Sequence, residues 1–466
     1  MRTHSPQGQG GLFARLSPHY RSTLRLGFPI VVAQTGHIAL GFIDSAMIGH
    51  YGVDELAASA FCISLFNLPI VLMIGYSLGL VPLMGQRFGR GESVGAGAIF
   101  RTGLWSNLRF ALLLTAAMLA LYFRLDHLGQ PPRLIPLIRP YFLLNLIGLP
   151  FVCLFSCLKL VTDTAGRTST AMWIMLMGNA LNVVGNYLMI YGHLGLPEWG
   201  LFGAGMATLI SRVFMPLALL LVLLRAKSLG RVRLGFFRHR LPGAEARREV
   251  FTKSSRISLQ LGLEQGMFTA SIFLMGWLGN IALAAHQVTI TAQSIGFMTY
   301  YGLGSAASIR VSHFWGKGQY RNAKRAANAG FHTVLASSAV LALIMITCRH
   351  PLAALFTDSP EVIALAETLI LCAIAYQPPD ALQISYANAL RGAGQTNSLA
   401  LVALIGYFAV GIPLSYLLAF PLGLGPLGVW AAFPVGLGLA GIGYYIRFSR
   451  LVDQQLGTPR QAPPSE

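Results

Sequence analysis

Twelve times along this chain, twenty or more residues pass with almost no charge, and that recurrence leaves few folds open. A run of that length spans a hydrocarbon core of about 30 Å as a helix. In lipid every backbone polar group must be satisfied internally, so only helices or a closed barrel can cross. Strand-like alternation is absent, which favours helices. The runs predict helices over 24–49, 56–84, 94–122, 134–160, 168–191, 200–224, 256–279, 284–313, 322–348, 360–390, 397–420 and 426–449. The expected fold is therefore an all-α membrane protein with twelve transmembrane helices. Composition agrees: 11% of the 466 residues are charged, against about 25% in a soluble domain.

The net charge of +18 would suggest nucleic acid on a soluble chain, but here it belongs to topology. With twelve spans both termini lie on one side. Twenty-eight lysines and arginines fall on that side, and only Arg124, Arg133, Arg139 and Arg349 on the other. The bias places both termini in the cytoplasm, and no nucleic-acid partner is expected. Residues 1–23 read as a retained cytoplasmic segment, lacking the compact apolar core and cleavage site of a signal peptide, and 450–466 as a cytoplasmic tail. The five cysteines (Cys62, Cys153, Cys157, Cys348, Cys372) are scattered in apolar runs without CxxC or Cys/His spacing. They read as small buried side chains, and no structural metal or cofactor is expected.

The chain also repeats itself. Ile48-Gly49-His50-Tyr51-Gly52 and Leu56-Ala57-Ala58 return as Met275-Gly276-Trp277-Leu278-Gly279 and Leu283-Ala284-Ala285, 227 positions later. At the same shift Phe88-Gly89-Arg90-Gly91 returns as Trp315-Gly316-Lys317-Gly318. Ala165-Gly166-Arg167-Thr168 returns as Ala393-Gly394-Gln395-Thr396 at 228, and Gly200 and Gly203 as Gly425 and Gly428 at 225. Isolated Gly and Ala matches are common in helix contacts, but an ordered series over six helices is a duplication. It predicts two pseudo-symmetric six-helix lobes, 24–224 and 256–449, joined by a basic cytoplasmic linker at 225–255. Six helices per half give both lobes the same orientation, related by an axis along the membrane normal.

Three carboxylates lie deep in the predicted spans: Asp44, Glu264 and Asp380. Each costs at least about 2.5–3.5 kcal/mol to place at mid-membrane. They bind a cation, carry a proton, pair with a buried base or bond into the bundle for packing. Arg109 is the main basic residue well inside a helix, and one arginine cannot serve three acids. Asn179, Asn182 and Asn186 share one face of the fifth helix. Oxygens of Asn182, Asn186 and Thr208 could complete a cage with Asp44 around a monovalent cation, with interhelical hydrogen bonding as the competing reading. Glu264 and Asp380 belong to the same half and could face each other. Pro378-Pro379 leaves the carbonyls of Ile374 and Ala375 without helical donors, as ligands for sodium, as a site for water or as a plain kink. The halves are not copies in chemistry, since Glu264 corresponds to His37 and Asp44 to Ser271. Phe42, Tyr76, Phe297, Met298, Tyr300, Tyr301 and Tyr376 lie on the same helices. They either line a cavity for a flat organic cation or pack in the bundle. No P-loop, HExxH, GxSxG or paired aspartate motif is present, so no enzyme is expected.

With those residues placed, the chain resembles the multidrug and toxic compound extrusion (MATE) family, and its NorM-like branch in particular, over about residues 20–450. The resemblance rests on Phe42-Ile43-Asp44-Ser45-Ala46-Met47-Ile48-Gly49, Leu283-Ala284-Ala285-His286-Gln287-Val288, Ala306-Ala307-Ser308-Ile309-Arg310-Val311 and Leu390-Arg391-Gly392-Ala393-Gly394-Gln395-Thr396. It implies a V-shaped pair of lobes with alternating access, and extrusion of cationic amphiphiles driven by inward sodium or protons. The family's cation residues carry over onto Asp44, Asn182, Asn186 and Thr208, and onto Glu264 and Asp380. The chain departs from the pattern in two places. Asn186 stands where proton-coupled relatives often have an acid. The seventh helix also lacks a proline near its start, while Pro378-Pro379 precedes Asp380. The resemblance further implies a monomer in a bacterial inner membrane. The nearest rival is a flippase for lipid-linked oligosaccharides, which would want a basic central cavity. An embedded enzyme lacks motifs, and a channel needs no duplicated rocking lobes.

Overall fold

The computed structural model describes residues 12–195, 197–238 and 243–457. Among them run twelve long helices. The first six are α1 Leu12–Tyr51, α2 Val53–Gly89, α3 Ser93–Tyr122, α4 Ile135–Thr164, α5 Thr168–Ile190 and α6 Gly200–Arg225. The second six are α7 Ala244–Leu278, α8 Asn280–Gly316, α9 Tyr320–Ala354, α10 Pro360–Ala393, α11 Leu399–Ala419 and α12 Pro426–Gly457. They match the twelve expected spans one for one. Ends differ most at α1 and α7, which begin twelve residues before the apolar run does. An apolar run marks where lipid begins, not where a helix must stop; without a breaker the helix continues into water. The opening of segment 1–23, the end of tail 450–466 and residues 239–242 of the linker lie outside the described residues, Arg2 and Arg460 among them. Within the linker, a helix at Gly230–Arg238 packs against α3.

Ten of the twelve meet both length and apolarity for a membrane span. The other two, α7 and α8, are long enough but carry a row of buried polar groups, including Gln260, Glu264, His286 and Gln293. Their outer surface is no obstacle to lipid; their inner surface is polar.

The lobes pack as the duplication requires. α1 lies against α8, and α7, the repeat of α1, lies against α2, the repeat partner of α8. The match extends to single residues. A Cβ on Gly75 would sit 2.9 Å from Ser258 Cα, and one on Gly302 would sit 3.0 Å from Val31 Cα. Those two pairs superpose at the 227-residue shift. Only glycine permits backbones to approach so closely. Nearer the basic end Gly89 abuts His313 while Gly316 abuts Gln86, again a symmetric exchange, and Gly85 abuts its own repeat partner Ser312. The pseudo-twofold axis passes beside that last pair.

Most hydrogen bonds between lobes gather at the same end, Gln34–Met298 and Ser258–Leu72 lying nearer the middle of the helices. Arg310 donates to His19 O and Thr23 Oγ1, each at 2.6 Å, and Gln86 Nε2 to Ala393 O at 3.2 Å. His313 Nε2 lies 2.8 Å from Thr164 O, and Tyr20 pairs with His332 at 2.8 Å. At the opposite end three of the four arginines are answered locally: Arg133 by Asp54, Arg139 by Asp126, Arg349 by Glu367.

Candidate ion and substrate sites

In the first lobe α1, α5 and α6 bring Asp44, Asn182, Asn186 and Thr208 together. Asn182 and Asn186 lie one turn apart on α5, facing α1 and α6. Asn186 Nδ2 donates to Asp44 Oδ1 at 2.6 Å and to Asn182 Oδ1 at 3.2 Å, and Asn182 Nδ2 donates to Thr208 Oγ1 at 3.2 Å. This leaves Asp44 Oδ1 and Asn182 Oδ1 2.7 Å apart, two acceptors without a proton between them. Turning the Asn182 amide over makes that contact a hydrogen bond, and its oxygen then accepts from Thr208 N and Oγ1 at 3.2 Å. It also sets two amide nitrogens, of Asn182 and Asn186, against each other at 3.2 Å. Either orientation leaves one like-to-like contact. Asn186 Oδ1 is buried with no hydrogen-bond partner as well.

A cavity of about 400 Å³ opens beside this cluster. Asp44, Asn179, Asn182 and Thr208 line it, with walls from α1, α2, α4, α5 and α6 and a floor from α8 and α10. Three basic side chains also line it: Lys159, Arg212 and Arg391. Lys159 is paired with buried Asp163 at 2.7 Å. Arg212 Nη1 donates to Asn145 Oδ1 at 3.0 Å, its guanidinium lying across Gly148 of α4.

In the second lobe Glu264 of α7 is buried. It accepts from Gln260 Nε2 at 3.1 Å and from Gln383 Nε2 at 3.3 Å. Gln383 also donates to Tyr407 OH at 2.6 Å. Tyr407 sits in the π-helical segment Leu404–Gly411 of α11, the kind of widened turn that re-aims a side chain into a site. Arg391 donates to Gln260 Oε1, so Gln260 links the guanidinium to Glu264. Asp380 of α10 is buried and makes no hydrogen bond among the described residues; its charge acts on that of Glu264. α10 runs helical through Pro378-Pro379, and Gln293 of α8 donates to Ala373 O at 3.0 Å, one residue before the two carbonyls that lack donors.

Among the described residues no ion pair involves Asp44, Glu264 or Asp380. Arg109 is exposed on α3 and serves none of them. Of the seven side chains expected around a substrate, Tyr301 lines the cavity. Met298 accepts from Gln34 across the lobes, at 3.8 Å, and Phe297 packs, as Val31 does, against the cluster of Tyr300, Leu303, Val334, Ala381 and Ile384. Phe42 is exposed. Tyr76 stacks on Phe110 at 4.3 Å, Tyr300 bonds Gln377, and Tyr376 packs on Trp430 and Phe433, all three within the lobes. Two residues escaped the sequence reading. Arg212 is hidden by averaging, one base inside a strongly apolar span. Asp163 lies just beyond the expected end of the fourth helix, yet α4 continues and buries it; the i, i+4 spacing to Lys159 was the available signal.

The MatE family profile matches residues 29–188 and 257–417, once per lobe. The chain is 30% identical to the probable multidrug resistance protein NorM of Agrobacterium fabrum, over 98% of each chain. It is 33% identical to the multidrug resistance protein PmpM of Pseudomonas aeruginosa, over 94% of this chain and 92% of that one. Its fold superposes on a mutant form of the Vibrio cholerae MATE transporter VcmN with a TM-score of 0.85, at 17% identity, covering 95% of this chain and 98% of that one.

Proposed function

The chain belongs to the MATE family, in its NorM-like branch, as a multi-pass membrane transporter of the multidrug efflux class, and from that premise we propose that it is a cation-coupled antiporter. Sodium ions or protons moving inward across a bacterial inner membrane, with both termini in the cytoplasm, drive export of cationic and amphiphilic compounds. The monomer suffices, since each chain carries both lobes and the cavity between them.

One observation carries this reading: the oxygens around Asp44 converge on a cavity wall with no basic partner bonded to them. A small cation between Asp44, Asn182, Asn186 and Thr208 uses the unpartnered oxygens and removes the like-to-like contact. A proton on Asp44 answers its contact with Asn182 in the same way. Either neutralises the carboxylate that attracts an organic cation into the cavity. Binding of ion and drug is then mutually exclusive at Asp44, and each favours a different packing of the lobes, which coupling requires. Glu264 and Asp380 are a second carboxylate pair able to take a cation or to share a proton, with Gln260 and Gln383 both donating to Glu264.

A flippase for lipid-linked oligosaccharides would need a cavity dominated by free basic charge. Lys159 is cancelled by Asp163, and Arg391 is linked through Gln260 to Glu264. Arg212 alone remains.

Proteoliposomes decide the matter. Movement of ethidium and of norfloxacin is followed under an imposed sodium gradient at equal pH, then under a pH gradient without sodium. One gradient should drive transport and name the ion; failure of both would overturn the antiport reading.

A further inference from the structure

We propose that Arg212 is an anion-binding group, and that the cavity is built for amphiphiles bearing a carboxylate as well as an amine. This rests on the transport reading above and narrows its substrate class.

Arg212 sits in the middle of α6 within the first lobe, where an uncompensated guanidinium is costly. It is no structural pair: among the described residues no carboxylate lies within ion-pair distance of it. Its one hydrogen bond goes to Asn145, a neutral amide that fixes Nη1 and leaves the rest of the guanidinium fork uncommitted. Gly148 makes the seat for it, since a Cβ there would come 2.9 Å from Nη1. The side chain is therefore held in place from α4 and lines the cavity.

The other charges on the cavity wall are accounted for. Lys159 and Asp163 cancel, and Arg391, which has no ion pair either, is held by two amides, Asn388 and Gln260, the second of which ties it to the Glu264 carboxylate of the second lobe. What remains is one anion, Asp44, and one cation, Arg212, on the walls of the same cavity, close enough for each charge to act on the other but not bonded to it. That arrangement is complementary to a zwitterion, whose ammonium goes to Asp44 and whose carboxylate meets the guanidinium bidentately. A simple lipophilic cation satisfies Asp44 but leaves Arg212 buried under apolar surface without an anion, which disfavours it. Competition with the coupling ion is preserved, because the ammonium still needs Asp44.

Binding to the purified protein in nanodiscs tests this apart from transport. The probes are norfloxacin, with amine and carboxylate, and its ethyl ester, with the amine alone. The protein should bind the acid about tenfold more tightly than the ester. Arg212→Gln should bring that ratio to about one, and Arg212→Lys should keep part of it. Should Arg212→Gln fail to fold, the ratio for the unaltered protein still decides. Equal binding of acid and ester by the unaltered protein, or a ratio undiminished in Arg212→Gln, would overturn the proposal. Failure of both ethidium and norfloxacin to move under either gradient would count against antiport instead, and leaves these binding ratios standing.

Discussion

The two lobes share a backbone frame and differ in almost every polar residue they point inward. The first presents Asp44 to the cavity through an amide cage made by Asn182 and Asn186. The second holds Glu264 and Asp380 away from that cavity, among Gln260, Gln383 and the tyrosine that the π-helical turn delivers. At the repeat position of Glu264 stands His37, on the cavity wall. At that of Asp44 stands Ser271, bonded to His286. Meanwhile the crossings of α1 on α8 and α7 on α2 agree to the residue, glycine opposite the same position each time. Symmetry persists at the crossings between the lobes. It lapses in the polar side chains each lobe buries.

The sharpest way to break the comparison is to neutralise the acids one at a time. Asp44→Asn, Glu264→Gln and Asp380→Asn should each lower gradient-driven export by about 100-fold or more, with insertion intact, because each removes a charge placed at a cost in the membrane. Ethidium and norfloxacin efflux at matched protein levels measures this. Unchanged export in both second-lobe variants would confine coupling to the first lobe. Unchanged export in Asp44→Asn would do the reverse.

The frame is tested next, at equivalent positions. Gly75→Leu and Gly302→Leu wedge a side chain into symmetric crossings, so both should reduce export by about tenfold or more and to similar extents. A large effect at one and none at the other would show that the two crossings do not move alike. Cross-linking of cysteine pairs placed across the lobe boundary would report which end each wedge opens.

A smaller effect separates the two cages. Asn186→Ala removes the donor to Asp44, and Gln383→Ala one of two donors to Glu264. A lost hydrogen bond to a charged group is worth about 1.5–3 kcal/mol. The half-saturating concentration of the coupling ion should therefore rise by roughly tenfold or more in each case. Only Asn186→Ala should also alter the apparent affinity for drug, since its carboxylate alone lines the cavity.

Much of this architecture is legible in the chain. Apolar length fixes the twelve spans, and the drift of one repeat fixes the lobes and their axis. The expense of an acid in lipid singles out Asp44, Glu264 and Asp380, and the one-turn spacing of Asn182 and Asn186 aims them at one neighbour. What stays illegible depends on which way a face turns. Arg109 and Arg212 look alike in sequence, each a lone base in an apolar helix, yet one is exposed on α3 and the other lines the cavity. Tyr76, Tyr300 and Tyr376 read as cavity aromatics as easily as core ones; it takes Phe110, Gln377 and Trp430 beside them to place them inside the lobes.

The smallest effect comes from the second lobe's counterpart of the Asp44 position. Where the first lobe has Asp44, Ser271 Oγ lies 3.2 Å from His286 Nε2, and Trp430 Nε1 donates to His286 Nδ1 at 3.1 Å. All three residues are buried, and both ring nitrogens of the histidine are answered, so the network is neutral and complete without an ion. Trp430→Phe removes one donor and keeps most of the packing, which should cost about 1 kcal/mol and a few degrees of Tm. Ser271→Ala should cost no more, and neither should shift the ion dependence of transport, read as the half-saturating ion concentration in proteoliposomes. A change in that concentration with Ser271→Ala would mean that the position opposite Asp44 still takes part in ion binding, and the lobes would then differ in degree where their residues now say they differ in kind.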